Sequence, residues 1–280
     1  MKYKGIPGIW NKFEREKFGG YEHETLEGIV PSVVGNTSNY NNVKGAYISG
    51  VVNDFGEDSH SNLEGILISG VINFIRGDLQ GIAVSGWTNY IEGHSKGLLV
   101  AGGGNFSESY AENESYAENR GVLLAGFVNR IDNDGVSIAG FANSGSFKGF
   151  TVGLFNGVTL ESGLFSGRSF NNYHSLDGIT IGGLNLSQTS SGISVGAINY
   201  TKGESSGLSI GAINYSGKRG GGLQAGLFNV ACKSEGPNVQ LGLINRCGTR
   251  VIPGLNMKGV MPYLKKKFSK CKIKEDIQNP

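Results

Sequence analysis

The stretch 192–229, GISVGAINYTKGESSGLSIGAINYSGKRGGGLQAGLFN, decides the fold because it contains one unit three times. Each copy, GISVGAIN (192–199), GLSIGAIN (207–214) and GLQAGLFN (222–229), opens on glycine, closes on asparagine and alternates apolar with small or polar residues. Outward from it the unit recurs as VQLGLIN (239–245) on one side and as GITIGGLN (178–185) and GFTVGLFN (149–156) on the other. Further upstream a nine-residue form takes over: GAYISGVVN (45–53), GILISGVIN (65–73), GIAVSGWTN (81–89), GLLVAGGGN (97–105), GVLLAGFVN (121–129) and GVSIAGFAN (135–143). GLFSGRSFN (163–171) reads as a degenerate copy and IPGLN (252–256) as a truncated last one.

Successive asparagines stand 20, 16, 16, 24, 14 and 13 residues apart, then 29 across the degenerate copy, then 14, 15, 15 and 16. A fixed motif with a variable linker is the mark of a repeat architecture. The linkers are rich in Gly, Ser, Asn, Asp, Lys and Glu, the pattern of short strands separated by turns. Two glycines per unit would each cost a helix about 1 kcal/mol, whereas β-branched and small residues suit strands. The fold class expected is therefore all-β, built from tandem repeats.

The first six copies carry Ser or Ala before the second glycine and the later ones do not. In a straight strand that extra residue would send the asparagine to the opposite face. A bend or bulge at the second glycine absorbs it, since glycine tolerates corner geometry and brings no Cβ. Each unit then splits into a strand, a glycine corner and a second strand. Stacked units of this kind make a β-solenoid with short coils, in which the apolar positions are expected to form one continuous core. Motif copies should pair in parallel, with Asn199 beside Asn214 and Asn214 beside Asn229. The alternative is an up-and-down β-meander or barrel of straight strands. It should alternate chemically between odd and even strands, and no such alternation is visible.

The motif asparagines, Asn53, Asn73, Asn89, Asn105, Asn129, Asn143, Asn156, Asn185, Asn199, Asn214, Asn229 and Asn245, admit two structural readings. One is a ladder, each amide donating to one neighbouring coil and accepting from the other. The other is a turn residue tolerating a left-handed backbone.

Three regions follow. Residues 1–44 lack the motif and read as an N-terminal cap, with Trp10, Phe13 and Phe18 spaced for one face of a short helix; 45–258 is the repeat domain. Residues 259–280 are a lysine-rich tail, with Lys265, Lys266, Lys267, Lys270, Lys272 and Lys274 among Tyr263, Leu264, Phe268 and Ile273. Such a tail is either solvated or a contact for an anionic surface, a membrane before nucleic acid. The duplication SYAENESYAEN (109–119) reads as an extruded loop, either a slippage product or an aromatic and acidic recognition element.

Composition narrows the function classes. The 280 residues include 47 glycines but only six prolines and no G-X-Y register, which excludes collagen. With 25 basic and 23 acidic residues the net charge is +2, so any electrostatic bias must be local. No stretch of 18 uninterrupted apolar residues occurs. The amino-terminal residues show no signal-peptide pattern, which points to the cytoplasm, or to the cell surface by a non-classical route. Cys232, Cys247 and Cys271 show no metal or redox spacing and read as reduced thiols.

Catalytic signatures are not found. His23, His60, His94 and His174 share no period that would place two on one element for a metal. The triple glycines at 102–104 and 220–222 lack the Lys-Ser or Lys-Thr that completes a phosphate loop. IDNDG (131–135) begins like a calcium loop through Asp132 and Asp134, lacks the remaining ligands, and reads as a turn. The sequons at Asn105, Asn185, Asn199 and Asn214 coincide with motif asparagines, so periodicity explains them.

The units GLSIGAIN, GISVGAIN, GLQAGLFN and VQLGLIN resemble the GLxIGLxN units of a poorly characterised class of bacterial surface-repeat proteins. The resemblance covers about 45–256, most closely 178–245. It implies a non-enzymatic, surface-exposed repeat protein and supplies no catalytic residues; the chain departs from it in lacking a signal peptide and in its Ser/Ala-containing first half. The expectation is thus a non-enzymatic structural or interaction protein, without cofactor, that presents a β surface to a protein partner or to itself. The alternatives are peripheral attachment to an anionic membrane through the basic tail, and a carbohydrate-active enzyme with a loop-borne site.

Overall fold

The computed structural model describes residues 2–4, 8–13, 25–38, 42–56, 61–107, 118–157 and 175–258, and all regular structure among them is β-strand. The chain divides into two compact units, Met1–Glu161 and Ser162–Pro280.

In the first unit every motif copy is one coil. Strand Asn42–Ser49 lies parallel to Ser61–Ser69 with Gly45 beside Gly65, and Val52–Phe55 lies parallel to Ile72–Ile75 with Asn53 beside Asn73. The same in-register pairing continues up to Phe147–Val152 and Phe155–Asn156, the linkers looping between coils. In the second unit Asn185 pairs with Asn199, Asn199 with Asn214, Asn214 with Asn229 and Asn229 with Asn245, again in parallel. Parallel neighbours one repeat apart make a β-solenoid. A meander or barrel would pair successive motifs antiparallel.

The corner lies at the second glycine, as the extra residue requires. In nine-residue copies the strand stops at Ser49 and resumes at Val52, leaving Gly50 and Val51 exposed at the bend. Eight-residue copies turn more tightly through Gly196 and Ala197, and the asparagine stays inside in both forms. A Cβ built on Gly211 would fall on the backbone carbonyl of Gly196, and one on Gly226 on that of Gly211. The first glycines are constrained too: Gly45, Gly65, Gly81, Gly97, Gly121, Gly135 and Gly149 hold φ between +112° and +150°, each against the carbonyl of the glycine one coil below.

The asparagines form the ladder. Asn53 Nδ2 donates to Asn73 Oδ1 at 2.9 Å, to the Ile68 carbonyl at 3.0 Å and to the Tyr47 carbonyl at 3.3 Å. Asn73 hands on to Asn89 at 2.8 Å, and Asn89 to Asn105 at 2.9 Å. In the second unit Asn185, Asn199, Asn214 and Asn229 each donate to the next, at 2.7–2.8 Å.

Five expectations are corrected. Only part of the motif's apolar positions enters a core, and only in the first unit: Ile48, Ile66, Ile68, Ile138, Ile179, Ile181, Ile210 and Ile213 face solvent. The residue between them turns inward, Tyr47, Leu67, Leu99 and Leu123 but also Ser137 and Thr151 in the first unit, and Thr180, Ser194, Gln224 and Gln240 in the second. The cluster that fills the first unit adds linker and post-motif residues such as Val43, Leu63, Phe55 and Ile75.

The repeat also begins before residue 45. GIVPSVVGN (28–36) is a coil with Gly28 beside Gly45 and Asn36 beside Asn53, disguised by Val33 where later copies have the corner glycine. Gly8–Phe13 is a strand rather than a helix, and Asn11 Nδ2 donates to Asn36 Oδ1 at 3.0 Å; Phe18 lies outside the described residues. IPGLN is not a truncated coil, because a turn at Gly248 (φ +63°) reverses the chain and sends Arg250–Lys258 back antiparallel along Asn238–Cys247. That strand pairs with the edge of the last coil, and Asn256 Nδ2 still donates to Gln240 Oε1 at 2.8 Å. IDNDG is not a turn: Asp132 and Asp134 lie in strand Asp132–Ala139.

Gly211→Val should lower the stability of the second unit by at least ~1–3 kcal/mol, because the new side chain must displace backbone rather than a flexible neighbour. An unchanged melting temperature would contradict this corner geometry.

Candidate functional site

Two surfaces of the first unit differ in kind. The stretch before each first glycine presents charged residues outward and forms a groove of about 640 Å³ lined by Lys44, Glu64, Asp78, His94, Glu118 and Arg120 among others. Its acids are engaged. Glu64 pairs with Lys44 at 2.8 Å, Glu118 with Arg120 at 3.4 Å, and Asp78 Oδ1 accepts the His94 backbone N–H at 2.8 Å. His94 is tied in as well, its Nδ1 accepting the Glu118 N–H at 3.1 Å. Along the coils the outward row runs Lys44, Glu64, Gln80, Lys96, Arg120 and Asp134. Among the described residues no three His, Cys, Asp or Glu side chains stand together as metal ligands.

The other surface is the motif itself. Its two walls meet at the corner, and no position between the first glycine and the asparagine is charged in the clear copies; the degenerate copy at 163–171 carries Arg168. Outward-facing positions stack like on like: Ile66 on Ile82, Ile68 on Val84, Ile72 on Thr88. The corner carries the largest groups, with Trp87 63% and Phe127 57% exposed and the Phe127 ring stacked on Phe141 at 4.8 Å. In the second unit the columns run Ile179–Ile193, Leu208–Leu223–Val239, Ile210–Ala225–Leu241 and Leu184–Ile198–Ile213–Phe228–Ile244, all along parallel-paired strands. Leu227 and Leu243 stand at its corner, Leu243 66% exposed.

Inside, the second unit is polar. Besides the asparagines it buries Thr180, Ser187, Thr201, Ser216, Gln224 and Gln240, and Gln240 Nε2 donates to Gln224 Oε1 at 2.8 Å. Arg219 is fully buried, and its guanidinium donates to Ser205 Oγ at 3.0 Å, Ser209 Oγ at 3.3 Å and the carbonyls of Gly207 and Leu223 at 2.6 and 3.0 Å. Burial lowers its pKa to about 10, which leaves it charged at neutral pH. This unit therefore reverses the usual arrangement of a water-soluble domain.

The sequence-named residues fall as follows. The sequon asparagines 105, 185, 199 and 214 are buried ladder members. Cys232 is exposed, its thiol donating to Tyr215 Oη at 3.3 Å, and Cys247 is buried. Of the duplication, Glu118 and Asn119 already belong to a coil, and Asn119 donates to Asn133 Oδ1 at 2.7 Å in a short second ladder. The rest of that segment, 163–171, His23, His60, His174, Cys271 and the six tail lysines lie outside the described residues. The outward apolar columns were missed; their signal is the alternation that places an apolar residue on each side of an inward-pointing one.

Comparison with family models, with curated proteins and with solved structures finds no match.

Burial pushes two carboxyls of the first unit above the usual carboxylate range, Asp54, which also pairs with Arg76, and Asp132, the only one of the two with a value as high as about 6. Burial raises its pKa from 3.8 to about 6, opposed by the Ser146 N–H it accepts at 2.6 Å. A folded-state pKa above the unfolded one means stability that is complete below pH ~4 and is lost as pH rises through ~6. The melting temperature of the first unit should fall between pH 4 and 7, and Asp132→Asn should flatten that dependence. An equally steep profile in the variant would rule out this carboxyl as its source.

Proposed function

We propose that this protein is a non-enzymatic repeat scaffold whose working surface is the pair of apolar walls meeting at the second-glycine corner. One observation carries the reading: uncharged, mainly apolar columns run outward along the described motif copies of both units, while the asparagine ladder is turned inward. Exposed apolar patches on monomeric soluble proteins rarely exceed a few hundred Å², and larger ones mark interaction surfaces. The columns are in register because the coils are, so one partner geometry fits successive coils. Support against a catalytic role comes from the charged groove, where acids and bases already satisfy one another.

The folded wild-type chain should therefore bind an apolar dye such as anilinonaphthalene sulfonate and associate at micromolar concentration. Replacing Ile181 and Ile210 together by lysine should reduce both effects at least several-fold. The melting temperature should shift little, because exposed substitutions usually change stability by no more than ~0.5 kcal/mol each. A native chain that stays monodisperse and takes up no dye would remove the basis for this proposal.

A further inference from the structure

The occupant of the second unit's walls follows from their shape and from the charge beside them. We infer that this unit is seated in one leaflet of an anionic lipid bilayer, its corner toward the hydrocarbon; the inference rests on the apolar walls being the working surface.

Four observations converge. First, both walls are apolar and meet at a corner carrying Leu227 and Leu243, so the surface is a wedge. A flat partner covers one wall, whereas a lipid leaflet covers both. Second, the wedge has leaflet dimensions: about four residues separate base from corner, at most ~13 Å at ~3.3 Å per residue, against ~15 Å for half of a hydrocarbon core. No helix among the described residues is long and apolar enough to cross a membrane. Within the stack adjacent coils satisfy each other's N–H and C=O groups, and the last coil pairs in turn with the antiparallel strand Arg250–Lys258.

Third, the wall after the asparagines changes in the order an interface requires. The apolar column gives way to Tyr200 and Tyr215, stacked at 4.7 Å, and then to Lys202 and to Lys218, which pairs with Glu204 and Glu235. Tyrosine at the headgroup level with lysine beyond it is the usual interfacial sequence. Fourth, the charge of the chain is segregated: residues 175–280 hold thirteen Lys and Arg against five Asp and Glu, while 1–174 hold twelve against eighteen. Anionic headgroups complement the first set and repel the second, which is why the seat belongs to the second unit even though the first also has apolar walls.

The test uses full-length protein and vesicles of phosphatidylcholine alone or mixed 3:1 with phosphatidylglycerol. Co-sedimentation should be strong with the anionic vesicles, at least tenfold weaker with neutral ones, and reduced by 0.5 M salt. Ile213→Glu/Leu243→Glu should lose at least tenfold in binding while keeping the wild-type circular dichroism and melting temperature, and Phe127→Glu in the first unit should stay within about twofold of wild type. Independently of any charge change, Leu243→Trp should show blue-shifted emission on anionic vesicles and quenching by brominated acyl chains.

Wild-type binding by the Ile213→Glu/Leu243→Glu chain, or an equal loss with Phe127→Glu, overturns the seat. If the native chain ignores vesicles but self-associates through these walls, the bilayer is the wrong occupant and the scaffold reading stands. If it neither binds vesicles nor associates, both are overturned.

Discussion

A buried amide group with no partner costs on the order of 1–3 kcal/mol, and this protein buries one at nearly every coil. It meets that cost by stacking the asparagines, so that each Nδ2 donates to the next Oδ1 and to nearby backbone carbonyls, as Asn214 does to Asn229 at 2.8 Å and Ala225 at 3.0 Å. The arrangement works only if asparagine points inward in every coil and the coils stay in register. From that requirement the rest follows: linkers vary in length because they can be extruded, whereas the motif changes by one residue only at the corner, where the change leaves the asparagine's face unaltered. The glycines serve the same end, since a side chain at Gly45 or Gly226 would meet the backbone one coil below.

The corner also lets both motif lengths present the same face. The middle residue of each φxφ triplet turns inside, six residues before the asparagine in nine-residue copies and five in eight-residue ones, and the residues flanking it turn outside. In the first unit the inward residue is apolar from Val30 to Leu123, so an ordinary core forms together with Phe55, Ile75 and Ile91, and it becomes Ser137 and Thr151 in the last two coils. In the second unit it is Thr180, Ser194, Gln224 or Gln240, and the interior is held by hydrogen bonds rather than by apolar contact. Arg219 belongs to that pattern, a buried cation whose partners are hydroxyls and carbonyls.

Much of this was legible in the residues. The constant glycine and asparagine, the variable linker and the lack of odd-even alternation point to parallel coils, and Asn199, Asn214 and Asn229 pair as that reading requires. The facing of the walls was not legible, because a one-residue change at a corner reverses parity and period alone does not say which set is inside. Tyr47 beside Ile48 illustrates the ambiguity: either could fill a core, and only the ladder makes it Tyr47. The coil at 28–36 was hidden by Val33 at the corner position and Pro31 within the strand. The reversal at Gly248 was hidden because IPGLN keeps the motif's Gly-Leu-Asn spelling while running in the opposite direction.

The two units therefore answer differently to their surroundings, although one motif builds both. Burial of Leu67, Ile75 and Ile91 gives the first unit a driving force that water itself supplies. The second unit's driving force is interior hydrogen bonding, which competes with water and strengthens as the local dielectric falls. Its outward Ile, Leu and Phe columns lose most in water and least in an apolar phase. Covering those columns would thus act on the two terms in the same direction, removing apolar surface from water and screening the polar interior from it. A fold that gains from both terms at once is suited to a state in which those walls are covered.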